Sequence, residues 1–477
     1  MTNTISTNKV KAWAKAMVSP AQEFPLTPLS VISGEIPAGL RGSLYRNGPG
    51  RLTRGGQKVG HWFDGDGAIL AVHFTDKGAT GVYRYVQTKG YLEELQANKY
   101  LYGNYGMTAP GPFWNQWLKP VKNAANTSVI ACPDKLLALW EVGQPYRLDL
   151  NNLNTYGEDD LGGIDKNLIY SAHPKRDGIT GEIFNFGVTL GLKPQLKLYK
   201  GDRHGKILKT STFTLEGMTA LHDFILAGQY LIFIIPALRL NVLPALLGIN
   251  TISDAWMWQP QLGNKILIFD RDNLTLVSQG ETEPWFQWHF GNGYVDKDGL
   301  IVLDIARYDD FTTNQRLKEV ATGVLETKAI STLWQVRLDP HTAKVKQMQQ
   351  VLNRSCEFPI VSPQEVGENW RYTYLVLHRE NIDITTEIFD TIGRFDYQTG
   401  KLMEANLGDN CYPVEPIYAG DVFDVNKGWI LTVVYNGNTD NSEVWVFDSD
   451  RLDGETVCKL ALPSVIPIGF HGTWKPA

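Results

Sequence analysis

Short apolar runs recur along the whole of this 477-residue chain, each closed by turn residues, and few stretches carry the 3.6-residue period of a helix. Early runs are Gly42–Arg46, Ala71–Phe74, Gly81–Val86, Lys135–Trp140 and Lys265–Asp270. Later ones are Leu300–Asp304, Ser331–Arg337, Tyr372–Leu377, Trp429–Tyr435 and Glu443–Asp448. Asp177-Gly178, Asp298-Gly299 and Asn436-Gly437 between runs suit tight hairpins. Several runs end in Phe-Asp (Phe269-Asp270, Phe395-Asp396, Phe447-Asp448) followed by polar turn residues. This rhythm predicts antiparallel units arranged radially, an all-β propeller, but the repeat is too degenerate to give a blade count. A propeller of this length closes as one domain, taken here as residues 31–477 behind an N-terminal arm, residues 1–30.

Composition narrows the function classes. Hydrophobic residues make up 43% and aromatics 11%, ample for a large core. Net charge is −6 with no basic block, which argues against nucleic acid as a partner. Cys132, Cys356, Cys411 and Cys458 form no C-x-x-C pair and read as reduced thiols of an intracellular protein. The polar start, Met1–Val10, lacks the apolar core of a signal peptide. The expected location is cytoplasmic, with two stretches that suggest peripheral contact with a membrane. Asn8–Val18 places Val10, Trp13, Ala14 and Met17 on one helical stripe and Lys9, Lys11 and Lys15 off it, the pattern of a surface helix or an interfacial one. Leu231–Gly248 is apolar but interrupted by Pro236, Arg239, Asn241 and Pro244, too broken to span a bilayer. It reads either as a buried strand with a loop or as a segment that dips into one leaflet.

Four histidines sit in apolar or aromatic surroundings: His173, His222, His289 and His471. The last is only six residues from the C-terminus, at the end of the largely apolar run Leu460–Phe470, where a frayed tail would be expected. Taken singly, each is more readily a satisfied core residue than a ligand. Inner strands of a propeller converge on its axis, however, and could gather all four into one all-histidine metal centre. His61, His204, His341 and His378 lie in turn-like or polar contexts and His73 in a short strand, with no such invitation. Glu141, Glu357 and Glu415 also lie in apolar settings. Acids are seldom buried unpaired, and a metal-bound imidazole needs its other N–H held, commonly by a carboxylate. There is no phosphate-binding loop, no H-E-x-x-H and no G-x-S-x-G; Phe63–Gly67 lacks the later ligands of a calcium loop.

From about Gly34 onward the chain resembles the carotenoid cleavage oxygenases. The matching segments are Leu44–Gly50, His61–Gly67, Ala125–Thr127, Trp140–Gly143, Ala172–Pro174, His222–Phe224, Glu357–Pro359, Glu415-Pro416 and Gly469–Gly472. The resemblance implies a seven-bladed propeller under a dome of loops and helices, with Fe(2+) on the axis held by His173, His222, His289 and His471. It implies that Glu141, Glu357 and Glu415 hold three of the four rings, leaving His173 without a carboxylate, and that Thr127 lies near an open iron position. Four neutral imidazoles suit iron(II) and leave two octahedral positions free. Two departures, Phe290 where many members have a second histidine and Ile360 where they have arginine, bear on the shape of the pocket.

The function so implied is cleavage of a carbon–carbon double bond of a carotenoid or apocarotenoid by O2, giving two carbonyl products. Trp140, Trp288 and Phe358 each adjoin a site residue in sequence and are the expected walls of an apolar tunnel. The alternatives are a stilbenoid-cleaving dioxygenase, an isomerase of the same fold, or a carotenoid-binding propeller without turnover. Stilbenoid-cleaving members carry a lysine just before the first glutamate, where this chain has Trp140, which favours a polyene.

Overall fold

The structure is a computed structural model that describes residues 11–477 apart from 113, 116–120, 166, 190, 192 and 247; the side chains at 245 and 246 are also left aside. Nearly all the expected runs are strands, because alternating or wholly apolar residues bury one or both faces of a sheet. Antiparallel meanders repeat around an axis in a β-propeller. One runs Ser128–Ala131, Leu136–Leu139, Tyr146–Leu148, Thr155–Glu158; the next runs Lys175–Arg176, Ile183–Val188, Gln195–Gly201, Ile207–Thr214. Apolar clusters fill the wedges between neighbouring sheets, as where Leu137 and Leu139 of the first meet Ile183 and Tyr199 of the second.

The expected count of seven blades is not met. The ladders form five sheets of four to six strands and one of eight, besides two short ribbons. In the eight-stranded sheet, the run ending in Ile225–Ala227 joins the run beginning at Phe286–Val295 through a parallel pair, Ala227 with Gly293. Gly293 permits the join: a Cβ there would lie 2.5 Å from Ile225 Cγ2 and 3.0 Å from Ala227 Cβ.

The tail is tied down. Gly472–Pro476 pairs antiparallel with Gly42–Arg51, from Arg46 opposite Gly472 to Gly42 opposite Pro476. Val31–Gly34 likewise pairs with Cys458–Ala461, so the first and last thirds of the chain share two sheets.

Among the described residues, helices are short: Ala12–Val18, Lys89–Ala97, Val242–Leu246 and Thr313–Val320. The first is the C-terminal part of the expected amphipathic helix; Asn8–Val10 lies outside the described residues. Its apolar stripe faces the protein, with Trp13, Ala14 and Met17 buried in the largest core cluster and Trp13 Nε1 donating to Thr386 O at 3.2 Å. The apolar segment from Leu231 divides. Tyr230–Ile235 is a wholly buried strand, whereas Val242–Leu246 is a helix whose Leu243 is 70% exposed.

A buried ionic cluster ties a helix to the propeller. Lys122 Nζ lies 2.8 Å from both Asp66 and Glu94, and Arg54 Nη2 lies 2.5 Å from Asp66. Asp66 begins a propeller strand and Glu94 belongs to the helix Lys89–Ala97, so the cluster joins the two elements.

Candidate metal centre

Four chain segments bring the imidazoles together. His173 precedes the inner strand Lys175–Arg176, His222 precedes Ile225–Ala227, His289 lies within Phe286–Val295, and His471 precedes the closing strand Gly472–Pro476. One ring nitrogen from each falls within 4.8 Å of the others. His222 Nδ1 is 3.1 Å from Glu141 Oε1, His289 Nδ1 is 2.6 Å from Glu357 Oε2, and His471 Nδ1 is 2.8 Å from Glu415 Oε1. An ionised carboxylate only accepts, so each of these Nδ1 atoms carries the proton and leaves Nε2 with a lone pair. The His222 and His289 Nε2 atoms then face each other at 3.3 Å, and His173 Nε2 is buried with no hydrogen-bond partner. Opposed lone pairs and an orphaned buried nitrogen are costly in a protein interior and are satisfied by a cation bound between them. The donor set therefore fits a divalent transition metal.

Electrostatics agree. Burial raises the Glu141 carboxyl, but the facing His222 and His173 rings outweigh it and hold the group well below the usual carboxylate range. Burial likewise raises Glu415, and His471 and Arg46 reverse it. Burial drives His173 far below the ordinary histidine value, with the adjacent His222 adding to the effect, so His173 stays neutral as a ligand must.

The metal pocket opens on a cavity of about 580 Å³ lined mainly by apolar side chains. Thr127 lies on its wall beside His471, whose backbone N–H donates to Thr127 O at 3.2 Å. Trp140, Trp288 and Phe358 all reach the cavity. Trp288 meets the His222 ring edge-on at 4.9 Å, and Phe358 stacks on His289 at 4.8 Å from a left-handed backbone conformation, φ +51°. Phe290 and Ile360 are not among the lining residues: Phe290 packs into a sheet core and Ile360 against another cluster, so these departures leave the cavity wall untouched.

Several participants are not singled out by sequence. Arg46, within the strand Gly42–Arg51, places Nη1 3.2 Å from Glu415 Oε2 and donates Nη2 to Phe470 O at 2.6 Å. Burial lowers its guanidinium to about 10, still charged at neutral pH. Its signal is an arginine in the middle of a strand whose other residues, up to the terminal Arg51, are uncharged. Trp62 and Phe63 reach the wall by packing on Phe470, at 4.4 and 5.5 Å. His61 and His378, expected in polar or turn-like settings, are in fact buried. Each is satisfied away from the metal, His61 Nε2 by Asn314 O at 3.3 Å and His378 Nε2 by Glu387 O at 3.1 Å; burial lowers both to about 3.

Across residues 17–476 the chain matches the family described as retinal pigment epithelial membrane protein. It belongs to this family, the carotenoid cleavage oxygenases. The chain is 32% identical to apocarotenoid-15,15'-oxygenase from Synechocystis sp., covering 97% of its own length and 96% of the relative's. Resveratrol cleavage oxygenase 1 from Aspergillus fumigatus is 26% identical, over 93% of this chain and 91% of that one. A solved variant of the Synechocystis apocarotenoid oxygenase matches with a TM-score of 0.90 at 30% identity, covering 98% of both chains. The cobalt-substituted form of that enzyme matches with a TM-score of 0.87 over the same shares. The chain is accordingly an oxygenase of the carotenoid cleavage type.

Proposed function

We propose that this oxygenase is an iron(II) dioxygenase that cleaves a carbon–carbon double bond of an apocarotenoid with O2 to give two carbonyl products. The carrying observation is the four-histidine cluster set into the wall of a long apolar cavity, with Trp140, a residue that cannot ion-pair with a phenol, immediately before Glu141. A conjugated polyene matches such a cavity, because its recognition rests on burying apolar surface. Iron(II), bound by His173, His222, His289 and His471, supplies the redox activity that lets O2 react with an alkene. Glu141, Glu357 and Glu415 hold three Nδ1–H groups and so aim the Nε2 lone pairs inward. Thr127 narrows the wall beside His471, while Phe358 and Trp288 shield His289 and His222 from water and give the polyene flat faces to lie against. Residues 31–477 act as one catalytic unit, against which the helix Ala12–Val18 of the preceding arm packs.

Substrate of this kind partitions into bilayers, and the enzyme is read as docking on a membrane surface. Support comes from Leu243 and Ile249, 70% and 71% exposed, which flank Leu240 and Ile252 of the cavity wall. Among the described residues no helix is long and apolar enough to cross a membrane.

The test is product analysis under 18O2 with apocarotenals, carotenes and hydroxystilbenes as alternative substrates. The expected result is cleavage of an apocarotenal into two carbonyl products that each carry one labelled oxygen. Turnover of hydroxystilbenes alone would replace the polyene reading with the stilbenoid one.

A further inference from the structure

Three of the four imidazoles have a glutamate on Nδ1, and His173 does not. The carboxylate nearest its Nδ1 is Asp223, with Oδ1 at 4.0 Å, beyond hydrogen-bond reach. Asp223 is buried and fully engaged elsewhere. Its Oδ1 accepts the Phe224 N–H at 2.8 Å and lies 2.8 Å from Lys175 Nζ, while Oδ2 accepts the Phe290 N–H at 3.0 Å. These contacts have a common geometry. Asp223 directly follows His222, Phe290 directly follows His289, and Lys175 stands two residues after His173. One carboxylate thus ties the backbone beside His222 and His289 to the Lys175 side chain, two residues after His173, and so links three chain segments that each carry an imidazole.

We propose that Asp223, held by Lys175, is a positioning residue of the metal centre that fixes the spacing of His173, His222 and His289 and, because Lys175 occupies Oδ1, withholds a carboxylate from the His173 ring. The ammonium neutralises a carboxylate that would otherwise sit uncompensated among neutral imidazoles, where an unpaired buried charge is unstable. It also keeps His173 less basic than its three neighbours, since a carboxylate on the outer nitrogen raises ligand basicity. His173 is then the weakest-held of the four ligands.

The inference rests on the four-histidine reading, and cobalt(II) separates the two. Apoprotein is titrated with cobalt(II) and followed by its visible absorption, with His222→Ala as the control for the reading itself. Asp223→Asn keeps the shape but loses the ion pair, and should weaken cobalt binding about 10–100-fold, the usual effect of removing a partner that orients ligands. Lys175→Met frees Oδ1 to swing onto His173 Nδ1 and should shift the cobalt absorption bands, whereas Lys175→Arg, which restores the pair, should return them to the wild-type position. The double variant should depart from the sum of the single effects, because both act through one contact. Lys175→Met removes none of the backbone donors that Asp223 accepts from and carries the comparison if Asp223→Asn does not fold. Loss of binding in His222→Ala, with wild-type affinity and spectrum in Asp223→Asn and Lys175→Met, would overturn the positioning role and leave the metal site standing. Undiminished cobalt binding in His222→Ala would overturn the metal reading itself.

Discussion

At the residue scale, Glu357 shows how one side chain serves two masters. Its Oε2 accepts from His289 Nδ1 at 2.6 Å and from the Phe358 N–H at 2.7 Å, so it orients a ligand and the residue that stacks on that ligand. Glu357→Gln keeps a carbonyl acceptor but loses the charge. Iron should be largely retained while turnover falls about 10–100-fold, as measured by metal analysis beside steady-state rates. Equal turnover in the variant and the wild type would remove Glu357 from the centre. The same scale shows what local sequence conveys. His471 was legible because an apolar run leads a histidine into a place where a tail should fray. His61 and His378 were not, because their partners, Asn314 O in the helix Thr313–Val320 and Glu387 O in a loop, come from segments that no pattern around the histidine announces. Asp223 escaped for a related reason: its bonds to Lys175 and Phe290 exist only once three strands have met.

At the scale of elements, strands were readable from period and turn chemistry, but their grouping was not. Whether two meanders form one sheet or two depends on the single pair Ala227–Gly293, and no periodicity records a missing side chain at a close approach. The closing strand gives a direct test. Ending the chain at Phe470 removes His471 and the strand Gly472–Pro476, and leaves the buried Glu415 without two of the groups it accepts from, His471 Nδ1 and the Gly472 N–H. Iron should be lost, with a destabilisation of about 3–5 kcal/mol seen in denaturant unfolding. Ending it at Trp474 removes only the ladder's last pairs, Lys475 with Ser43 and Pro476 with Gly42, and should preserve iron and turnover. Iron binding in the longer truncation would exclude His471 from the ligand set. The ionic cluster that ties the helix Lys89–Ala97 to the propeller is testable in the same way. Burial raises the Asp66 carboxyl, but Lys122 and Arg54 overcome it and hold the group below its ordinary value. A carboxyl depressed on folding contributes stability above its unfolded value of about 3.9, and that stability is lost as pH falls through the folded value. Asp66→Asn should therefore be less stable than the wild type at pH 7, and the gap should narrow in acid; a gap independent of pH would show that the charge of Asp66 does not matter.

For the whole molecule, two ends of one cavity face different surroundings. Toward Leu240 and Ile252 the wall adjoins the exposed Leu243 and Ile249, and toward Val320 and Ile388 it lies beneath the helix Ala12–Val18. The greater apolar exposure is at Leu243 and Ile249, where a lipid surface would cover it. Leu243→Asp with Ile249→Asp should reduce sedimentation with neutral phosphatidylcholine vesicles while leaving the melting temperature and the cleavage of detergent-dispersed apocarotenal unchanged. Vesicle binding equal to that of the wild type would move the docking face elsewhere. The helix Ala12–Val18, with Trp13 wholly inside, by contrast turns its apolar side chains into the protein, and of the lysines expected off that stripe Lys11 pairs with Glu387 at 2.7 Å, Lys15 is exposed, and Lys9 lies outside the described residues.

The pairing of Gly472–Pro476 with Gly42–Arg51 also sets an order of events in the cell. Protein synthesis runs from the first residue to the last, so His471 emerges last of the four imidazoles, long after the strand Gly42–Arg51 on which its own strand closes. Sheets in the middle of the chain can form while translation continues, but the ring of sheets cannot close, nor can the fourth imidazole arrive, until Gly472–Pro476 has emerged. A message cut short before His471 thereby yields a nearly complete propeller scaffold that lacks one of its four imidazoles.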